Sequence, residues 1–466
     1  MLHIHNTLGR RKEPFHPRVP GQVGLYVCGI TVYDHCHVGH ARAMVVYDVL
    51  YRHLLASGFD VTYVRNITDV DDKIIERARS SGETPEALAE RFIGHMQEDA
   101  AALGALAPTH EPRAVGHIDG VIRMITALID RGHAYAVEDG DVLYSVRSFE
   151  EYGKLSGRKP DELRSGGRVA TDERKHDPLD FALWKRAKPG EPSWHSPWGD
   201  GRPGWHIECS AMSTALLGEE FDIHGGGLDL QFPHHENEIA QSEAASGKGF
   251  ARYWMHNGMV RVDGEKMSKS LGNFLTVRDA LRDWRGEELR FFVVASHYRS
   301  PIEIGDEPLA AARRALRGLY TALRGHPVQA DATSDPSFTA RFEAAMDDDL
   351  NTSGAIAVLH ELAGALNRAT TDGAAHAATL ATTLRTLGGR LGLLQEDPEA
   401  VLRGELDPGS AAADGLSDAA IDALIEERRM AREAKDFARG DAIRDQLAGA
   451  GIVLEDAGGS TSWRRD

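Results

Sequence analysis

The sequence predicts an α/β protein whose first half is built on a parallel sheet and whose second half is helical. Between residues 21 and 107, short apolar runs alternate with helical patterns, the order typical of βαβ units. From about residue 308 the chain is rich in Ala, Leu and Arg at helical spacing. A stretch containing Ala, Asp, Gly and Pro over residues 405–417 separates this region from a small C-terminal segment, which we expect to be α+β.

The elements of the first half follow from the spacing of apolar residues. Leu25–Cys28 is a short run of β-prone residues, and Gly29 is expected to end that strand. From Gly39 onward the apolar residues recur on one helical face. A second strand over residues 61–66 and a helix from Asp71 continue the alternation. Residues 111–205 break it and are rich in Gly, Pro, Arg and Trp in their second half, so we interpret them as an insertion between two halves of a nucleotide-binding fold.

Composition limits the classes of protein to consider. The 466 residues suffice for two to four domains, and 42% hydrophobic and 27% charged residues are typical of a soluble protein. No run approaches the roughly 18 apolar residues of a membrane helix, and the three cysteines are too scattered for a disulfide framework. We therefore expect a cytoplasmic protein without a membrane partner. The net charge of −18 argues against indiscriminate nucleic-acid binding but allows a local basic face, such as the Arg-rich stretch 428–444.

Two histidines lie where the first strand pattern gives way to the first helix. His37 and His40 flank Gly39 at this point. The N–H groups and the dipole of a helix N-terminus favour phosphate, and imidazoles there can donate hydrogen bonds to it. The alternative is that these are two ordinary surface histidines among the 22 of the chain.

A segment with two lysines, Lys266–Ser270, lies in the second half of the predicted nucleotide fold and is called the lysine segment below. Met259–Val262 is a predicted strand, Asp263 and Gly264 a tight turn, and the chain returns from Lys266. A loop of this kind can bring two positive charges to a triphosphate, and charge neutralisation is much of what phosphoryl chemistry requires. A solvated basic loop is the alternative.

Four residues distributed along the chain offer the ligand set of a zinc ion. On a helix, side chains four residues apart project from one face, and in an open α/β sheet strand ends line the ligand crevice. Two thiolates, one imidazole and one carboxylate suit zinc better than magnesium or calcium. The candidates are Cys28, Cys209, His234 and Glu238. Spacing alone leaves open ligation by Cys36 or His235, or buried cysteines without a metal.

The histidine and lysine segments together resemble the HIGH and KMSKS signatures of class I aminoacyl-tRNA synthetases. Val38 stands where isoleucine is usual in the first signature, a change of one methylene. Longer stretches resemble the cysteinyl-tRNA synthetase family, in its bacterial form, nearly from end to end. The clearest are Tyr26–Asp34, Asn66–Lys73, Gly204–Ala211, Phe221–Leu230, Phe232–Gln241 and Lys266–Phe274.

The resemblance implies a set of functional residues. One zinc per chain would be held by Cys28, Cys209, His234 and Glu238, with Cys36 a bystander. Catalysis on magnesium-bound ATP would fall to His37, His40, Lys266 and Lys269. Thr68, Trp205 and His224 would shape the amino-acid pocket, and Asp229 would lie near the ribose. The full set expected to bind ATP or the amino acid is Gly29, Thr31, Gly39, Thr68, Trp205, His224, Gly225, Gly226, Gly227 and Asp229.

The resemblance also implies a domain plan: a Rossmann-like parallel-sheet catalytic domain with a connective insertion, an all-helical bundle and a small α+β C-terminal domain. The expected ranges are 1–250 for the catalytic domain with its insertion at about 111–205, 251–307 for the KMSKS loop and stem-contact region, 308–404 for the helical bundle and 405–466 for an anticodon-binding domain.

The implied function is cysteine–tRNA ligation by a monomer. L-cysteine would attack ATP to give cysteinyl-adenylate, which would then acylate the 3′ end of tRNA-Cys. Two alternatives are a mycothiol-type ligase that joins cysteine to an amino sugar, and an inactive synthetase-like protein that binds nucleotide or tRNA. The long helical region after the lysine segment argues against the first, and the complete signatures argue against the second.

Overall fold

The computed structural model describes residues 1–165, 173–262, 264–266, 274–327, 333–408, 416–457 and 460–465. The chain divides into two compact units. The first comprises residues 1–277, 296–304 and 345–351, and the second comprises residues 278–295, 305–344 and 352–466.

A four-stranded parallel sheet forms the centre of the first unit. Its strands lie in the order β10 (Ala251–Asn257), β9 (Phe221–Gly227), β3 (Gln22–Thr31) and β4 (Asp60–Thr68). Each neighbouring pair is parallel. The connections run through helices: α1 (Val38–Ala56) between β3 and β4, α6 (Trp205–Leu217) before β9, and α7 (Glu236–Ser246) before β10. The carboxyl ends of the strands therefore meet at one edge of the sheet, where open α/β folds bind ligands.

The first strand does not end where the sequence suggested. β3 continues through Gly29 to Thr31, so the expectation that Gly29 ends it is wrong. A Cβ at Gly29 would lie 1.7 Å from the carbonyl oxygen of Asn66, so only glycine lets β3 and β4 approach this closely. The Gly29 N–H donates to Oδ1 of Asn66 at 2.9 Å, and the β3–β4 register shifts between Val27 and Ile30. Cys28 lies within this irregularity rather than at a strand end.

The segment that breaks the alternation has its own antiparallel sheet. Its strands pair in the order β5 (Ala134–Ala136), β6 (Val142–Tyr144), β7 (Phe181–Arg186) and β8 (Gly201–Pro203). Tyr144 and Trp184 are fully buried in a core shared with apolar residues of α4 (Ile118–Asp130). β8 leads directly through Gly204 into α6, so this sheet determines where α6 begins.

The remaining elements of the first part of the chain surround these sheets. The hairpin strands are β1 (His3–Asn6) and β2 (Arg11–Pro14), and a small sheet contains β11 (Val260–Val262), β12 (Glu265–Lys266) and β13 (Ile302–Glu303). The other helices are α2 (Asp72–Ser81), α3 (Pro85–Ala102), α5 (Pro160–Ser165) and α8 (Val277–Ala280). Asp71 caps α2, since its Oδ1 accepts a hydrogen bond from the N–H of Lys73 at 2.9 Å.

The second unit is mainly helical. Its helices are α9 (Gly286–Val294), α10 (Asp306–Leu323), α11 (Pro336–Asp347), α12 (Thr352–Thr371), α13 (Ala377–Arg390), α14 (Pro398–Leu402), α15 (Asp418–Glu433) and α16 (Phe437–Gly449). The antiparallel hairpin β14 (Ile452–Ala457) and β15 (Ser460–Arg465) packs on the last two helices around Ile421, Ile443 and Trp463. The predicted fold class, α/β with a helical region and a small α+β end, is confirmed. Among the described residues, no helix is both long enough and apolar enough to cross a membrane.

Candidate active site and metal centre

A cavity of about 330 Å³ opens at the carboxyl edge of the parallel sheet. β3, the start of α1, the start of α6 and the segments after β9 and β10 form its walls. Nine of the residues expected from the sequence line it: Cys28, Gly29, Thr31, His37, Gly39, His40, Trp205, Gly227 and Asp229. The edge of the sheet therefore brings together residues that are as far apart in sequence as Cys28 and Asp229.

His37 and His40 form a stacked pair at the N-terminus of α1. Their ring centroids are 3.5 Å apart, with an angle of 20° between the planes. His37 is the N-cap residue: its Nδ1 accepts from the N–H of His40, and Nδ1 of His40 accepts from the N–H of His37, both at 3.3 Å. A neutral imidazole that accepts at Nδ1 carries its proton at Nε2. Both rings are thereby prepared to donate from Nε2 beside a helix N-terminus, the arrangement that suits a phosphate.

Cys28, Cys209, His234 and Glu238, called the metal group below, converge beneath the cavity and are all buried. Sγ of Cys28 lies 3.7 Å from Sγ of Cys209, 3.4 Å from Nε2 of His234 and 3.3 Å from Oε1 of Glu238. Tetrahedral zinc with ligand bonds of about 2.0–2.3 Å separates its ligand atoms by roughly 3.3–3.8 Å. The four side chains thus have the spacing of zinc ligands, and Cys28 connects them to the cavity.

The side chains of the metal group shift one another's pKa values. A hydrogen bond from Cys28 lowers the pKa of Cys209 to about 6. Burial disfavours the carboxylate of Glu238, but the charges of His224 and His234 outweigh burial and hold its pKa well below the usual value. Burial and the neighbouring Cys209 raise the pKa of Cys28, whereas for His234 burial is outweighed by Glu238 and Cys209, which raise its pKa to about 10. The charges of these buried side chains are thus paired with one another, and buried charges persist when they are paired or bind a metal.

A second set of side chains overlaps the metal group. Cys28, His224, His235 and Glu238 also lie close enough to share an ion. Nε2 of His224, however, lies 2.8 Å from Oε2 of Glu238, and Nδ1 of His235 lies 2.8 Å from Nε2 of His256. These rings are thus engaged as hydrogen-bonding partners around the metal group. Cys36 belongs to neither cluster found among the described residues.

Two histidines that the sequence did not single out lie around the metal group: His206 bonds His234, and His256 bonds the neighbouring His235. Nδ1 of His206 lies 2.8 Å from Nδ1 of His234, and His256 links His235 to the hydroxyl of Thr7, also at 2.8 Å. Burial lowers the pKa of His206, and it lowers the pKa of His256 to about 3, so both rings are neutral near pH 7. A hydrogen bond to the outer nitrogen of a ligating histidine fixes the ring and its tautomer. For His206, the sequence offered one indication of this role, its position next to Trp205 in the Gly204–Ala211 stretch.

The residues expected around the amino acid divide between the cavity wall and its support. Trp205, at the start of α6, is 38% exposed and stacks on His234 with ring centroids 4.2 Å apart. Its indole therefore covers the metal group on the cavity side. Thr68 and His224 are buried and are not on the cavity wall. The ring of His224 stacks on that of Trp254 with centroids 4.4 Å apart, and its Nε2 lies within hydrogen-bonding distance of the Glu238 carboxylate.

The three glycines at the end of β9 allow other groups to approach the strand backbone closely, and for two of them these groups are side chains of the protein itself. A Cβ at Gly225 would lie 2.3 Å from the ring of Tyr47, and one at Gly226 would lie 2.8 Å from the ring of His235. The hydroxyl of Tyr47 lies 2.9 and 2.8 Å from the carbonyl oxygens of Gly226 and Met255, and its one proton is available to either of them. Gly227 alone of the three lines the cavity, next to Asp229.

The lysine segment is described only at its edges. β11 and β12 form the expected hairpin, with Arg261 opposite Lys266 and a positive φ of 77° at Gly264. Asp263 and residues 267–273, including Lys269, lie outside the described residues, as does the side chain of Lys266. The sequence did not single out Lys73, which lines the cavity from α2 with its Nζ 5.4 Å from the ring centroid of Tyr33. Lys73 lies in the Asn66–Lys73 stretch, but the sequence alone did not indicate that its side chain would face the cavity.

Comparison with known proteins defines the class first. Residues 14–314 match the family described as the tRNA synthetases class I (C) catalytic domain, and residues 341–395 match the DALR domain. A Mycobacterium tuberculosis methionyl-tRNA synthetase in complex with methionyl-adenylate shares the fold, with a TM-score of 0.57 at 16% identity over 79% of this chain and 89% of that one. The chain is therefore a class I tRNA synthetase in fold.

The particular family follows from closer relatives. Residues 414–464 match the cysteinyl-tRNA ligase anticodon binding domain. Cysteine–tRNA ligases of Thioalkalivibrio sulfidiphilus and Chromobacterium violaceum are 62% and 58% identical to this chain, each over 100% of both sequences. The chain belongs to the cysteine–tRNA ligase family.

Proposed function

We propose that this chain activates L-cysteine with magnesium-bound ATP and transfers it to the 3′ end of tRNA-Cys. One observation carries the proposal: a single cavity has Cys28 and Trp205 of the amino-acid side on one wall and the stacked pair His37 and His40 on another. An amino acid and a nucleotide bound there would meet between the two walls. The membership in the cysteine–tRNA ligase family supports the same substrates.

We assign the metal group to zinc. Two sulfur ligands, one nitrogen and one oxygen at tetrahedral spacing fit that ion. When bound, zinc would supply a soft Lewis acid that favours a thiolate over a hydroxyl. Trp205 lies over His234 and would shield the substrate side chain from water. His206 and His224 would keep His234 and Glu238 in the orientation that binds the ion.

The nucleotide side would work by charge and position. Nε2 of His37 and of His40 would donate to the α-phosphate while the carboxylate of cysteine attacks it. Lys266 and Lys269 would bind the departing pyrophosphate. Asp229 would bind the ribose, and Gly29, Thr31, Gly39 and Gly227 would let the nucleotide approach the backbone. The attacking group belongs to the substrate, so the reaction needs no covalent intermediate on the protein.

The tRNA would contact the C-terminal domain. Arginines of the 428–444 stretch form ion pairs with neighbouring glutamates, so the contact would not depend on their charge alone. Arg429 pairs with Glu426 at 2.6 Å, and Arg439 pairs with Glu427 at the same distance. These pairs explain why a basic stretch is compatible with a net acidic chain. Phe437, at the start of α16, is 63% exposed, an unusual position for a large aromatic side chain. Unstacked bases of a single-stranded loop stack readily on such a ring.

Two assays test the proposal. Cysteine-dependent exchange of pyrophosphate into ATP should be observed with purified protein, and addition of tRNA-Cys should give cysteinyl-tRNA. Exchange without charging of any tRNA would favour the ligase that uses an amino sugar, which the match to an anticodon binding domain at residues 414–464 argues against. Nucleotide or tRNA binding without exchange would overturn the proposal in favour of an inactive binding protein.

A further inference from the structure

Arg42 is a fully buried cation on α1, two residues beyond His40. Its Nη1 donates to the carbonyl oxygen of Met259 at 2.9 Å, and its Nη2 donates to that of Tyr298 at 3.0 Å and to that of Ser300. Within the described part of the chain, no carboxylate forms an ion pair with it, and its Nε has no hydrogen-bonding partner. Burial lowers the pKa of Arg42 to about 10.

Two of those three carbonyl groups do not need the arginine to be satisfied. Met259 O already accepts the N–H of Ile302 at 3.1 Å, and Tyr298 O already accepts the N–H of Gly258 at 2.8 Å. A buried charge without a counter-ion is costly. What the guanidinium adds is a three-point attachment that joins α1 to two other chain segments at the place where those segments run side by side.

One of the attached segments is a wall of the cavity. Asn257–Val260 lines it together with the first turns of α1, which contribute Gly39, His40 and Ala43. The same segment continues into β11, whose Arg261 is paired with Lys266. Arg42 therefore sets the separation between the wall that contains His40 and β11, the strand that pairs with the start of the lysine segment.

The chain returning from the lysine segment is attached to the same helix end. The N–H of Val38 donates to the carbonyl oxygen of Leu275 at 3.1 Å, and the N–H of Val277 donates to that of Cys36 at 2.8 Å. The ring of Phe274 meets that of His37 edge to face at 5.4 Å. The start of α1 thus holds both flanks of the lysine segment, one through backbone hydrogen bonds and the other through Arg42.

We propose that Arg42 is a positioning residue for adenylate formation: its three-point attachment holds the Asn257–Val260 wall and the β11 strand at the distance from His40 that lets both sides contact one nucleotide. The inference rests on the proposed function. A displacement of about 1 Å in a catalytic arrangement costs roughly 10²-fold in rate. Arg42 touches no substrate, so its loss should affect the rate of activation more than the binding of cysteine.

The test is pyrophosphate exchange by Arg42→Met, which keeps the volume and removes the donors. We expect kcat to fall about 10²-fold with the KM for cysteine within about twofold of the wild-type value. Arg42→Lys, which keeps a cation with three donors, should recover most of that loss. The matched control is Arg290→Met: Arg290 is equally buried, in α9, and its Nε donates to the carbonyl oxygen of Leu391 at 2.6 Å. This control should lower the melting temperature and leave kcat per folded molecule unchanged.

A second variant covers the case in which Arg42→Met does not fold. A Cβ at Gly258 would lie 2.6 Å from the carbonyl oxygens of Arg299 and Ser300, so Gly258→Ala pushes apart the segments that Arg42 holds together. It should reproduce the loss of kcat. If neither Gly258→Ala nor the Arg42 variants lower kcat beyond the Arg290→Met control, the positioning role is overturned. Absence of exchange in the wild-type protein would instead overturn the proposed function itself.

Discussion

The histidine pair and the metal group lie at the same cavity, yet the pair comes from four consecutive residues, whereas the metal group comes from three separate elements and from the segment before α7 that contains His234. His37 and His40 are half-buried, and within one helix turn each ring accepts a hydrogen bond from the backbone N–H of the other residue. In the metal group, Cys28 of β3 meets Cys209 of α6 and Glu238 of α7 in a fully buried space. The pair offers donors that any nucleotide could use. The buried group offers a specific ligand set, so discrimination between amino acids should depend on it.

The largest expected effect is therefore the preference for cysteine over serine. The two differ by sulfur against oxygen, which an apolar pocket resolves poorly, whereas a site built on one specific polar contact can reject an analogue by about 10⁴-fold. Pyrophosphate exchange with each amino acid measures the ratio. Comparable kcat/KM values for serine and cysteine would mean that the metal group does not contact the substrate. Because one contact suffices, we also expect no hydrolysis of Ser-tRNA-Cys.

Loss of one ligand should have the next largest effect. Cys209→Ala should remove the bound zinc and lower cysteine activation by at least about 10³-fold, more than the 10- to 100-fold typical for a lost supporting partner. Metal content by mass spectrometry and exchange activity measure both. Cys36→Ala is the matched control, since Cys36 is also buried and belongs to neither metal cluster. Full activity of metal-free Cys209→Ala would show that cysteine activation does not require the metal group.

On the nucleotide side, Lys269→Ala should slow adenylate formation about 10²-fold and change the affinity for cysteine little, because its charge matters most as pyrophosphate departs. Single-turnover formation of adenylate, with cysteine binding measured separately, distinguishes the two. Lys248→Ala is the control, since Lys248 is an exposed lysine paired with Glu219 on the surface. An unchanged rate for Lys269→Ala would remove the lysine segment from the mechanism.

The smallest effect concerns the tRNA alone. Phe437→Ala should reduce kcat/KM for tRNA charging about tenfold, as expected for one lost stacking contact, and leave pyrophosphate exchange unchanged. Phe437→Trp, which keeps an aromatic face at the same exposed position, should charge tRNA normally. If Phe437→Ala charges tRNA at the wild-type rate, the contact lies elsewhere on the domain.

The difference between the local histidine pair and the metal group, which is assembled from distant residues, also explains what the sequence could predict. The helix N-terminus at His37 follows from local spacing, and so does the β11–β12 turn at Gly264. The convergence of the metal group does not, because the strand order β10-β9-β3-β4 sets it, and only the family resemblance selected the four ligands. The irregularity at Gly29 depends on Asn66 in the neighbouring strand, and the support by His206 and His256 depends on packing. Such contacts between distant residues leave no periodic signal in one sequence.

Spectroscopy of the protein with cobalt(II) in place of zinc tests directly whether the metal group selects the amino acid. Two thiolates from Cys28 and Cys209 should give a sulfur-to-cobalt charge-transfer absorption in the near ultraviolet. Cysteine should increase its intensity by about one half, since a third thiolate joins the ion, and serine should leave it unchanged. A spectrum that does not respond to cysteine, or that responds equally to serine, would contradict selection of the amino acid at the metal group.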